Sequence, residues 1–236
     1  MTAVPKDAKR ASSTLSKKDF PGQVVLVLQG GGALGAYQAG VYEAFHEAGI
    51  EPDWVIGTSI GAINGAIIAG NQFDNRLQRL RKFWERVERR STFTGTSLLW
   101  PGLTNATTNF SIMASGIPGF FSPNLTSIWG IHAHVGMERA SFYSTEALKK
   151  SLFEFVDFER LRSGPTRFTV GAVNVRSGEM RYFDSRDIAI SPEHVMASSA
   201  LPPAFPAVCV DGEPYWDGGI YSNTPIEAVF DDYPRR

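Results

Sequence analysis

The sequence predicts an α/β domain organised around a mostly parallel sheet. Two short apolar runs, VVLVL at 24–28 and WVIG at 54–57, each lead through a glycine-bearing turn into a helix-forming segment. That is the pattern of consecutive parallel strands joined by crossovers. Farther along, RFTVGAVNV with EMRYFD, and AVCV with EPYWD, read as two hairpins turning at Ser177-Gly178 and Asp211-Gly212. At 236 residues, with 43% hydrophobic and 20% charged residues, the chain suffices for one sizeable α/β domain, and two would be a tight fit.

The first 21 residues are polar, Lys-rich and unpatterned, and they lack the apolar centre of a secretory signal. They read as a flexible tail ahead of a domain over 22–236, and Asp7 and Asp19 weigh against a transit peptide. After the first strand, Ala33 to Ala48 reads as a helix with Leu34, Val41, Ala44, Phe45 and Ala48 on one face and Gly49 as its stop. The segment SIGAINGAIIAG is small and aliphatic throughout, which predicts a buried helix.

From Phe73 to Arg90, Phe73, Leu77, Leu80, Trp84 and Val87 recur at helical spacing, with seven Lys or Arg against three acids elsewhere in the stretch. This reads as a solvated charged face ahead of a headgroup-binding one. Residues 91–142 hold no period of 2 or 3.6 and alternate Ser, Thr, Asn, Gly and Pro with SLLW, IPGFF and SIWGI. Such a segment is a lid-like insertion or a loop that packs its apolar residues on the core. The glycosylation sequons at Asn105 and Asn124 are read as chance matches. Residues 144–162 read as helical, and Ser191 caps a further helix with Pro192 at its first position.

A net charge of -1 supplies no general attraction to nucleic acid. The single cysteine, Cys209, excludes an internal disulfide and favours a reducing compartment. No apolar run approaches the roughly 20 residues of a membrane span. The expectation is a cytoplasmic protein, soluble or peripherally attached to a membrane.

The chemistry lies in the turns. Gly30-x-Gly32-x-x-Gly35 stands between the first strand and its helix, where a row of backbone N–H groups stabilises either a pyrophosphate or the oxyanion of a tetrahedral intermediate. A dinucleotide site needs an acid at the end of the second strand. Asp53 precedes that strand, so it lies at the wrong end of the sheet. At the right end stands Gly57-Thr58-Ser59-Ile60-Gly61, the spacing of a nucleophile elbow. Both features face the same carboxyl edge, which favours the oxyanion hole over a dinucleotide cradle.

An elbow serine needs a base, and histidine is the usual one. His46 precedes the elbow, His132 and His134 end the irregular segment, His194 sits in the first turn of a helix, and no histidine follows Asp217. Asp217 is the strongest remaining candidate, because Gly218 and Gly219 let the chain turn sharply and bring the carboxylate close to another backbone. On spacing alone, Asp-Gly-Gly is equally a turn without chemistry. A carboxylate is a poor base in water and a better one where a dry site raises its pKa.

Together these elements resemble the patatin-like phospholipases: GGGALG their glycine-rich motif, GTSIG their elbow, DGG their aspartate motif, and ASSALPPAFPAV the segment before that aspartate. The likeness runs from about Gln23 to Ala228. It implies a three-layer α/β/α lipid acyl hydrolase, of phospholipase A or lysophospholipase type, with no metal or organic cofactor. Ser59 would be the nucleophile, Asp217 its base, and Gly30, Gly31 and Gly32 the oxyanion-hole backbone, supported by Gly35, Gly57, Gly61, Gly218 and Gly219. The implied partner is a lipid or other acyl ester, with peripheral membrane contact. Leu34 departs from the Arg or Lys common in the family, which makes a neutral ester more plausible. The helix expected after Pro225 is followed by only a few residues where family members continue, so the chain reads as a short copy or a fragment.

Overall fold

A computed structural model describes residues 21–91, 122–123 and 143–232. The tail at 1–20, most of the irregular segment expected over 91–142, its sequons, and His132 and His134 lie outside the described residues.

The chain forms a mixed α/β fold whose sheet is parallel at its centre. Strands β1 (Val25–Leu28), β2 (Trp54–Gly57) and β5 (Arg167–Asn174) run parallel, and β6 (Met180–Asp184), β8 (Glu213–Asp217) and β7 (Val208–Val210) complete six strands through antiparallel pairings. Two two-residue strands, β3 (Ser122–Pro123) within the segment expected to be irregular and β4 (Tyr143–Ser144) just after it, pair separately. Helices α1 (Gly35–Glu47), α2 (Ile60–Ala69), α3 (Phe73–Ser91), α4 (Glu146–Phe155), α5 (Phe158–Ser163), α6 (Pro192–Ser198) and α7 (Glu227–Phe230) flank the sheet.

β5 organises the site. Thr169 and Val170 pair with both β2 and β6, so those two strands lie on opposite edges of β5. Ala172 and Val173 pair with both β6 and β8, so β8 shares the edge used by β2. β2 ends at Gly57 opposite Val170, while β8 runs the other way and ends at Asp217 opposite Ala172. The two strands therefore meet head-on along one edge of β5, their ends two positions apart, about 7 Å at strand rise. Segments remote in sequence converge because one eight-residue strand holds both.

The core is built around α2, every residue of which is buried, as its small aliphatic composition predicts. The β7–β8 turn has Asp211 at φ 51° and Gly212 at φ 80°, the paired left-handed geometry of a tight hairpin. Three helical expectations are corrected. The buried face of α1 carries Gly35 and Tyr42, while Leu34, Ala44 and Phe45 are exposed. Tyr42 can be buried because its hydroxyl donates to the Glu51 carboxylate at 2.9 Å, and apolar spacing alone gave no hint of that. In α3, Phe73 is exposed and stacks on His46, and Phe83 takes the core position beside Leu80. The helix expected over 144–162 is two helices: Val156 is extended, and Asp157 caps α5 by accepting from the Arg160 N–H at 3.0 Å.

Four of the described cations of α3 have partners. Arg81 bonds Glu43 of α1, Arg86 bonds Glu154 of α4, and Arg79 donates to the Glu154 carbonyl at 2.7 Å. Arg76, nearly buried, joins Glu51 at 2.6 Å and Thr166 at 2.7 Å. These pairs tie α3 to its neighbours and favour the ion-paired face over a headgroup surface.

Candidate active site

Ser59 sits between the end of β2 and the first turn of α2, with φ 55° and ψ -125°. A side chain in this sparsely populated region costs on the order of 1–3 kcal/mol, which the surroundings must offset. The elbow is tight: a Cβ at Gly61 would lie 2.1 Å from the Leu28 carbonyl oxygen, and one at Gly57 2.4 Å from the Gly61 oxygen. Only glycine lets α2 start so close to both strands. The backbone of Ser59 is held on both sides. Its N–H donates to Ser198 Oγ at 3.0 Å, and its carbonyl accepts from Ser199 Oγ at 3.2 Å and from the Ala62 N–H at 2.9 Å.

Asp217, 2% exposed, ends β8 facing the same space. Its Oδ1 accepts from the Gly219 N–H at 2.7 Å, and Ser59 lines the same pocket beside it. Burial pushes the Asp217 carboxyl above its ordinary range, and the neighbouring Ser59 hydroxyl and Gly219 amide pull it part of the way back. Gly218 packs its Cα on the Gly171 carbonyl, where a Cβ would come within 2.4 Å. Gly219 contributes its amide to Asp217 and lines the pocket.

The glycine loop closes the third side. Gly31 and Gly32, with positive φ of 149° and 56°, line the pocket, and so does Ala33, expected only as part of the first helix. Gly30 differs from expectation, because its N–H donates to the Asn223 carbonyl at 3.0 Å and is committed there. Gly35 opens α1 against Trp84, whose ring lies 2.6 Å from where a Cβ would stand. The indole of Trp84 is fixed by donating to Asn64 Oδ1 at 3.0 Å.

These groups surround a cavity of about 470 Å³, with Ser59 and Asp217 facing a largely apolar wall of Ile60, Trp84, Val87, Leu201 and Phe205. A water-poor slot of this kind suits an acyl chain. None of its described lining residues is Lys or Arg. A larger cavity of about 620 Å³ is lined by Asp53, Arg162, Arg167 and Arg186. Asp53 immediately precedes β2, accepts from the Val24 N–H at 3.0 Å and thus stands at the opposite sheet edge from Ser59, which removes the ribose-binding acid a dinucleotide site needs.

Neither described histidine lines the Ser59 pocket. His46 Nδ1 pairs with Glu51 at 2.7 Å. His194 is buried at the start of α6, where its Nδ1 accepts from the Ser191 N–H at 3.0 Å and burial holds its pKa below the ordinary imidazole range. Among the described residues, no group of three or more His, Cys, Asp or Glu is arranged to hold a metal ion. Nor is any described helix long and apolar enough to cross a membrane.

Sequence reasoning missed Ser198, Ser199 and Asn223, which hydrogen-bond the elbow and the glycine loop. All three lie inside quoted motifs, ASSALPPAFPAV and YWDGGIYSNTP, but their partners are remote in sequence.

Comparison with known proteins bears on the same region. Lysophospholipase nte1 of Aspergillus terreus is 25% identical over 203 residues, covering 86% of this chain and 11% of its own length. A patatin-like phospholipase domain-containing protein of Caenorhabditis elegans is 30% identical over 206 residues, covering 86% of this chain and 12% of its own. The chain thus spans about a tenth of the length of these relatives. The crystal structure of VipD from Legionella pneumophila shares the fold at a TM-score of 0.50 and 18% identity, over 87% of this chain and 47% of VipD. The family model described as patatin-like phospholipase matches residues 26–230, from within β1 to the end of α7. The chain belongs to the patatin-like phospholipase family.

Proposed function

We propose that this chain is a serine hydrolase of fatty acyl esters, of phospholipase A or lysophospholipase type, working through Ser59 and Asp217. The observation that carries the reading is a buried carboxylate and a strained elbow serine facing one another's space in a single, largely apolar slot. Ser59 Oγ attacks the ester carbonyl carbon, and its proton passes to Asp217. The negative charge on the carbonyl oxygen is held by amides of the glycine loop, with Gly31 and Gly32 the donors and Gly30 held back by its bond to Asn223. As the C–O bond breaks, Asp217 returns the proton to the leaving alcohol. Water then attacks the acyl-serine, Asp217 takes its proton, and the fatty acid leaves as Ser59 is reprotonated.

A specific observation favours a broader substrate range. Leu34, 62% exposed, stands at the end of the glycine loop, and the described cavity lining offers no cation for a phosphate. Neutral acyl esters therefore belong among the substrates tested. Contact with a lipid surface is part of the proposal, supported by exposed Leu34, Tyr37, Leu201 and Tyr221 on the loops and helix that form the site.

The test is fluorophosphonate labelling of wild type, Ser59→Ala and Asp217→Asn, with hydrolysis of lysophospholipid, phospholipid, monoacylglycerol and p-nitrophenyl esters. Labelling and hydrolysis in wild type, lost in Ser59→Ala, are expected. A folded wild type that neither labels nor hydrolyses any member of the panel would end the enzyme reading.

A further inference from the structure

We infer that the tripeptide Ser198-Ser199-Ala200 is the positioning element of the dyad, one short brace bonded to the main chain of both Ser59 and Asp217. The inference rests on the dyad proposed above.

The three residues contact the two arms in consecutive order. Ser198 Oγ accepts the Ser59 N–H at 3.0 Å across 139 positions of sequence. Ser199 Oγ donates to the Ser59 carbonyl at 3.2 Å, sharing its single proton with the Val195 carbonyl at 3.1 Å. The Ala200 carbonyl then accepts the Asp217 N–H at 3.0 Å. All three residues are buried, at 0%, 6% and 0% exposure, so water does not substitute for these partners.

The geometry has a chemical purpose. Ser59 occupies a backbone region that a serine leaves when it is free to relax, and rotation toward ordinary φ would carry Oγ away from Asp217. Bonds to both its N–H and its carbonyl resist rotation of the two adjoining peptide planes. The same brace fixes the Asp217 main chain beside them, so the hydroxyl–carboxylate spacing is set by three neighbouring residues rather than by two distant strands alone. Their role differs from that of Asp217, because none of them need touch the reacting atoms.

A merely structural role for the end of α6 makes a different prediction, and His194→Gln supplies the comparison. It disturbs the same helix at its first turn, away from the pocket. The experiment measures kcat, KM, fluorophosphonate labelling rate and Tm for Ser198→Ala, Ser199→Ala, the double variant and His194→Gln. Ser198→Ala and Ser199→Ala should each lower kcat and labelling rate together, and the double variant about a hundredfold, with KM nearly unchanged, because small misplacement of a nucleophile costs turnover rather than binding. Ser198→Cys, which keeps a weak acceptor, should recover part of the loss. His194→Gln should lower Tm and leave kcat alone. If the double variant fails to fold, the single variants are read.

Wild-type kcat in folded Ser198→Ala and Ser199→Ala overturns the inference. So does a fall in kcat matched by His194→Gln at equal loss of Tm. Failure of the wild type itself to label at Ser59 would instead overturn the proposed function, and so the two failures are distinct.

Discussion

Gly30 and Asn223 exchange two hydrogen bonds: the Gly30 N–H donates to the Asn223 carbonyl at 3.0 Å, and Asn223 Nδ2 donates back to the Gly30 carbonyl at 3.3 Å. The loop after β1 is thereby locked to the loop after β8, which carries Asp217. Asn223→Ala keeps the main-chain bond and loses the side-chain one, worth about 1 kcal/mol, so kcat should fall roughly fivefold. Gly30→Ala is harsher, because its Cβ would stand 2.3 Å from Asn223 Oδ1 and 3.2 Å from Ser59 Cβ. Its turnover should drop at least about a hundredfold. Steady-state hydrolysis of a p-nitrophenyl ester checks both, and near-equal effects would show that the exchange does not hold the loop.

Gly61 and Gly40 should respond oppositely to alanine. At Gly61 the new methyl meets the Leu28 backbone oxygen at 2.1 Å, and backbone cannot yield as a side chain can. Urea denaturation of Gly61→Ala should show a loss above about 3 kcal/mol, or no folded protein. Gly40 lies on the exposed side of α1 with open space around it. There alanine should stabilise by about 0.5–1 kcal/mol.

Asp217 links activity and stability to pH with a definite sign. Its carboxyl is pushed up by burial, so the folded state holds the proton more tightly than the unfolded chain does. The stability this contributes is present at acid pH and is lost as pH rises through the raised value. Asp217→Asn should therefore have a higher Tm than wild type near neutral pH, with the gain shrinking on acidification. Hydrolysis should follow the ionised form, its acid limb lying above the ordinary carboxylate range. The Asn variant should lose about a hundredfold to ten-thousandfold in kcat. A Tm difference constant across pH would argue against the buried carboxylate.

Histidine should not appear in the rate profile. Replacing His132, His134 and His194 together should leave hydrolysis intact if the protein folds, whereas loss in a folded triple variant would revive a histidine base. His194 should instead affect stability. Burial lowers its pKa, so its contribution is present above the ordinary imidazole value and lost as pH falls through the lowered one. His194→Gln should cost about 0.5–2 kcal/mol at neutral pH, comparable to loss of a helix cap, and less in acid. Thermal melts at several pH values measure this.

Local features of the sequence translated well into structure. The elbow, the Asp211-Gly212 turn and the Ser191-Pro192 helix start depend on neighbouring residues, whose steric demands travel with the chain. The buried character of α2 was equally legible, because a helix of small and aliphatic residues has no polar side to show. The inward face of α1 was not, since Tyr42 is buried through a bond to Glu51 that no apolar period announces. Phe83 displaced Phe73 because helix packing is decided by what lies opposite, here Phe155 edge-on at 5.8 Å. The commitment of the Gly30 amide and the serine brace were hidden for the same reason, as each joins positions far apart in sequence.

If Ser59 and Asp217 act together as proposed, the head-on meeting of β2 and β8 makes activity depend on the completed sheet. A chain that has formed only β1, β2, β5 and β6 holds Ser59 at its elbow, yet half of one β5 edge is bare and Asp217 is not yet beside it. That bare stretch is a template for strands of other chains until the β7–β8 hairpin docks. Docking should silence self-association and switch on reactivity in one stroke, so a covalent serine probe added during refolding would serve as a stopwatch for sheet completion.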